Sequence, residues 1–115
     1  MSRDFPEADW KILRELKPAL LDRLCVRILD TCRVVIENEA GTPHQRYLML
    51  FDAIQEQNED LGRAFDGLRR STAIQQMAWM RRLKLFEAGE WERFSPETRE
   101  IVLFFSGEAK LQPDG

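Results

Sequence analysis

PALLDRLCVRILDTCRVVIE, residues 18–37, is the stretch on which the fold turns. Leu21, Cys25, Ile28, Cys32 and Val35 recur at the i, i+4, i+7 spacing of one helix face. Leu20, Leu24, Leu29 and Ile36 widen that face, leaving Asp22, Arg23, Arg27, Asp30 and Arg33 as a narrow polar seam. So broad an apolar face has to be covered from more than one direction. The pattern therefore predicts the central helix of an all-α bundle, with Ile28 deeply buried.

Working outward, residues 1–115 are expected to form one domain. A chain of this length buries about two-thirds of its unfolded surface, enough for a core without metal or disulfides. At 43% hydrophobic and 32% charged residues, the composition is that of a folded, soluble chain rather than a disordered one. No apolar run approaches the ~20 residues needed to cross a bilayer, and MSRDFPEADW has no secretory-signal pattern. Cys25 and Cys32, seven residues apart on one helix, stand about 10 Å apart, too far for a disulfide with each other. Buried, reduced thiols and a cytoplasmic location are the expectation.

Helix punctuation divides the chain. Asp4 and Glu7 read as a capping box opening a first helix over 5–16, with a break or sharp bend at Pro18. Gly41 suits the residue past a helix end, and Thr42-Pro43-His44-Gln45 reads as the next start. Apolar residues Tyr47, Leu48, Leu50, Phe51 and Ile54 follow at helical spacing, and the polar residues 55–60 predict a turn. Residues 59–88 read as two helices, a short one marked by Leu61, Phe65 and Leu68 and a longer one over 73–88 stopped by Gly89. Trp91 and Phe94 sit in a connector expected to plug the bundle end. Ser95-Pro96-Glu97 caps a last helix that Gly107 stops, and residues 108–115 read as a frayed tail. The fold expectation is a compact bundle of five or six helices around the helix at 18–37.

Chemistry-bearing patterns are sparse. His44, the only histidine, sits in a helix first turn with no residue spaced to orient it as a base. One histidine and two cysteines on a single helix fall short of a zinc site, and no phosphate loop, nucleophile elbow or calcium loop is present. No catalytic site, cofactor or metal is expected.

Charge is distributed unevenly. Residues 61–86 carry six basic side chains and one acidic, between two acidic flanks, within a net charge of −3. Arg69, Arg70, Trp79, Arg81, Arg82 and Lys84 form a candidate anion or partner surface, because arginine can hold phosphate while tryptophan stacks a base. An overall acidic chain argues against a dedicated nucleic-acid binder, so the basic segment 69–84 supplies the alternative reading. The leading reading is a protein–protein interaction or self-associating module. Ile101 to Phe105 are consecutive apolar residues that wrap every side of a helix, so Trp91, Phe94, Leu103, Phe104 and Phe105 are the expected surface of a homodimer.

Overall fold

The computed structural model describes residues 5–108, all of whose regular elements are helical. Five α-helices follow in order: α1 Glu7–Glu37, α2 Pro43–Phe65, α3 Ala73–Arg82, α4 Ala88–Trp91 and α5 Pro96–Ser106. A 3-10 turn at Arg70–Thr72 leads into α3. The cap expected at Asp4 and the tail beyond Glu108 lie outside the described residues.

α1 is one continuous helix of 31 residues that runs through Pro18, where a break or sharp bend was expected. A proline inside a helix costs about 3 kcal/mol, because it removes one amide and crowds the preceding turn. Leu13, Leu16, Leu20 and Leu24 are buried on both sides of it. Each is worth about 1.5–3 kcal/mol, so their burial outweighs the proline. Pro18 and Arg14, whose carbonyl loses its donor, are both on the exposed side, where water can replace the missing bond.

Asn38 ends α1, and its Oδ1 accepts from the Ala40 amide at 3.1 Å. The chain reverses through Gly41, at φ 92°, into the expected Thr42 capping box with Gln45. Arg46 ties the reversal down, donating to the carbonyls of Ile36 at 2.7 Å and Asn38 at 3.1 Å. α2 then continues past residues 55–60, where a turn was expected. Polarity there marks the solvent side of a helix, since Gln57 and Asp60 are half-buried, Asp60 accepting from the Trp79 indole, and no proline intervenes.

α3 stops at Arg82, six residues before the expected end, and Gly89 lies inside the one-turn α4 instead of ending α3. The stop is a Schellman turn: the Leu85 amide bonds the Met80 carbonyl and the Lys84 amide bonds that of Arg81, with Lys84 left-handed at φ 57°. α5 starts as expected, the Ser95 hydroxyl accepting from the Thr98 amide, and ends in the same turn with Gly107 at φ 86°.

Phe5, Leu13, Leu16, Leu20, Leu24, Phe65, Met77, Met80, Leu85, Trp91, Phe94 and Val102 make the core. They come from Phe5 and the first half of α1, the end of α2, and the segment from α3 to α5. The second half of α1 and the first half of α2 form an antiparallel hairpin beyond it. Ile28, expected deep in the core, is half-buried there, and so are Cys25 and Cys32. The radius of gyration, 17.3 Å, exceeds the ~13 Å of a compact chain this long, and the extents are 56 × 34 × 26 Å. The core thus gathers on residues 9–24 of α1, and residues 25–37 reach out of it.

Candidate functional site

The hairpin carries the largest run of exposed apolar side chains among the described residues. Leu29 is 67% exposed and Tyr47 60%; Ile36, Phe51 and Ile54 are each close to half exposed. On α1, Cys25, Leu29, Cys32 and Ile36 are spaced 4, 3, 4; on α2, Tyr47, Phe51 and Ile54 are spaced 4 and 3, the exposed Asn58 takes the next place, and Leu61 beyond it packs against the core. This is the 3.5-residue seam that antiparallel and coiled helices pack along. Tyr47 and Phe51 already stack on each other, with centroids 6.3 Å apart.

Where these seams point follows from helix geometry. The side chains of α1 turned toward α2 are those around Ile28, Thr31 and Val35, and those of α2 turned toward α1 are Leu50, Ala53 and Gln57, all half-buried. At 100° per residue, each seam lies about 80–100° further round its own helix in the direction of the chain. The helices are antiparallel, so the same rotation brings both seams to one side of the hairpin. The other side carries Arg27, Asp30, Asp52 and Glu56 together with the exposed Val34 and Met49. The hairpin is therefore a two-helix layer with an uncharged apolar seam on one side and a mixed, charge-bearing surface on the other.

Of the expected basic surface, Arg69, Arg70, Arg82 and Lys84 are exposed and Trp79 and Arg81 half-buried, and several members are engaged by the fold. Arg70 donates to the Phe5 carbonyl at 2.6 Å. Arg81 pairs with Glu108 at 2.9 Å and lies over the Trp91 ring at 4.5 Å. Arg82 caps the end of α5, donating to the carbonyls of Phe105 at 2.9 Å and Ser106 at 3.2 Å. Trp79 lies between the guanidiniums of Arg63 and Arg82, 4.9 and 5.0 Å from its centroid, and donates to Asp60. Lys84 occupies the left-handed turn, and Arg69 is exposed beside the 3-10 turn. Burial pushes the Glu108 carboxyl up, but its bonds from Arg81 and Ser106 together outweigh this and hold it below the ordinary value.

The residues expected at a dimer surface are divided. Trp91 is 9% exposed and Phe94 1%, and both pack with Phe86 in the core at centroid distances of 5.4 and 5.8 Å. This removes them from the surface: the connector does plug the core, as expected, and the plug leaves nothing to present. Leu103 is half-buried. Phe104 and Phe105 are exposed at the rim of an open groove of about 660 Å³ between the Phe5 segment, α3 and α5.

Two polar clusters escaped the sequence reading. Asp9, 2% exposed, accepts from the Ser95 amide at 2.9 Å, the Ser95 hydroxyl at 2.7 Å and the Thr98 hydroxyl at 2.6 Å. Its carboxylate thus caps α5 from 86 residues away. Arg23 grips Glu90 through both carboxylate oxygens at 2.8 and 3.1 Å and also donates to the Leu85 carbonyl. The bond from Arg23 holds the Glu90 carboxyl below its ordinary value and raises Arg23 in turn. Arg27 donates to the carbonyls of Leu83 and Lys84. The polar seam of α1 thus clamps the turn after α3, a pairing across more than 50 residues that no local pattern signals.

His44 is exposed, and among the described residues no three His, Cys, Asp or Glu side chains converge as a metal site. No described helix is long and apolar enough to cross a membrane. Comparison with protein-family models, curated proteins and solved structures finds no match.

Proposed function

We propose that this chain is a single-domain protein-interaction module without a catalytic site, working in the cytoplasm through the apolar side of the α1–α2 hairpin. One observation carries the reading: two seams of 3.5-residue spacing, on separate helices, face the same way and are uncovered. Burying such side chains is worth about 25 cal/mol per Å², so a surface that keeps them dry is favoured over one that leaves them in water. Once a second layer docks there, residues 18–37 become the centre of a helical bundle, the position their broad apolar face calls for.

The nucleic-acid reading of residues 69–84 draws less support. Phosphate binding needs guanidiniums free to leave water for the ligand, whereas Arg70, Arg81 and Arg82 already donate to carbonyls and a carboxylate.

The double variant Leu29→Glu, Phe51→Glu tests the proposal. It is expected to keep its helical circular dichroism and its melting temperature in dilute solution, while losing association with any partner or apolar dye. A double variant that unfolds would show that these side chains belong to the core and would end this reading.

A further inference from the structure

Resting on that reading, we infer that the occupant of the hairpin face is a second copy of this chain, so that two hairpins close into a four-helix bundle with the rest of each chain outside it. The first argument is area. Leu29, Ile36, Tyr47, Phe51 and Ile54 are each 45–67% exposed on one contiguous face, an apolar patch of the kind that marks an interface, where a stable complex buries ~800 Å² of each partner.

The second argument is register. The reversal at residues 38–42 and the bond from Arg46 to the Ile36 carbonyl set α1 against α2 so that Ile36 stands level with Tyr47. One helical step at a time, Cys32 then comes level with Phe51, and Leu29 with Ile54. The face therefore has three apolar rows, each with one residue from either helix, ending where Cys25 comes level with the exposed Asn58. A single docking helix would fill the groove between the two seams and leave their outer edges wet. Two helices in the same 3.5-residue spacing fill all the rows, and a two-fold copy supplies them with the same rows.

The third argument is electrostatic. Arg27, Asp30, Asp52 and Glu56 occupy the opposite side of the hairpin, and Arg27 is spent on the turn after α3. No charge sits within the seams, so two like faces meet without repulsion, which a face built for a charged partner would not allow.

Sedimentation equilibrium of the full chain across the micromolar range tests the inference. Twice the chain mass is expected, dissociating on dilution. Phe51→Glu is expected to give the chain mass with unchanged helical circular dichroism, a weakening of roughly 30-fold or more. Leu29→Glu, on the other helix, should do the same, which guards against a local defect in α2. Labelling of Cys25 and Cys32 by a thiol probe should slow as the parent is concentrated and stay fast in Phe51→Glu. A dimer insensitive to both substitutions but lost in Phe104→Ser would overturn the inference in favour of the groove beside α5. A parent of chain mass at every concentration also overturns it. If that monomer binds an apolar dye that the two variants do not bind, the hairpin remains an interaction surface and only its occupant is wrong. Loss of helix in both variants would sink the inference and the underlying reading together.

Discussion

Residues 9–24 and residues 25–36 belong to the same helix, and the second stretch is the richer in apolar residues, yet they meet opposite fates. In the first stretch Leu13, Leu16, Leu20 and Leu24 vanish into the core; in the second, Val26, Leu29, Val34 and Ile36 are all more than half exposed. The difference lies in what packs against each. The first half has α3, α4 and α5 around it, while the second has α2 and, at Arg27, one loop. An apolar periodicity states that a helix face is to be covered, and leaves open whether the cover comes from the same chain.

The sharpest way to break this comparison is to truncate one leucine on either side of the divide. Leu20→Ala should cost about 2–5 kcal/mol, because it empties a fully enclosed site. Leu29→Ala should cost no more than about 0.5 kcal/mol in urea unfolding of dilute protein, where only the monomer is present. Equal costs would erase the distinction between the two halves.

Much of the fold could be read from residues that act locally. Thr42 with Gln45, and Ser95 with Pro96, cap helices in the places their chemistry demanded. Pro18 and the polar run 55–60 misled because local preference competes with burial and lost: four buried leucines keep α1 continuous through the proline, and the polar run of α2 lies on the water side of an unbroken helix. The site was hidden for a different reason. Tyr47, Phe51 and Ile54 read as an ordinary buried stripe, and only the count of helices left over to cover them shows that they are bare. Ile101 to Phe105 pointed the other way, since the consecutive run suggested an interface while Val102 is in fact in the chain's own core and Leu103 packs against it.

Asp9 sharpens the comparison from the buried side. Its carboxylate joins the first half of α1 to α5, and it holds three donors that have no other use. Asp9→Ala should cost about 2–3 kcal/mol, since hydrogen bonds to a charged group are worth more than neutral ones and the Ser95 and Thr98 donors would be left dry. Differential scanning calorimetry would read this directly. A loss below about 0.5 kcal/mol would mean that water replaces the carboxylate, and that the junction is looser than its burial indicates.

Arg23 and Glu90 lie on the divide itself, where α1 leaves the core. Glu90→Gln should cost about 1 kcal/mol at neutral pH, a partly exposed bidentate pair being worth less than a buried one. Its pH dependence has a definite sign. The folded-state carboxyl is held below the ordinary value of 4.5, so its stabilisation is fully present above that value and is lost as pH falls through the lower folded one. The gap between parent and variant should therefore be constant from pH 7 down to about 5 and close on further acidification. A gap that widens in acid would reverse the assignment.

The smallest effect concerns two helix ends built alike. α3 and α5 both stop in a Schellman turn, but the left-handed residue is Gly107 in one and Lys84 in the other. A side chain there costs about 1–2 kcal/mol, because its Cβ crowds the following carbonyl. Lys84 tolerates this because Arg23 and Arg27, reaching over from α1, hold the carbonyls of residues 83–85 in place. Lys84→Gly should relieve the strain and give back about 0.5–1 kcal/mol through the greater freedom of glycine in the unfolded chain. The net gain should be about 0.5–1 kcal/mol, seen as a rise of a few degrees in melting temperature. Gly107→Ala should move the melting temperature down by a similar amount. If Lys84→Gly instead lowers it, then the Lys84 charge, which with Arg81 and Ser106 helps hold the Glu108 carboxyl down, outweighs the backbone strain, and the turn after α3 is kept for its charge.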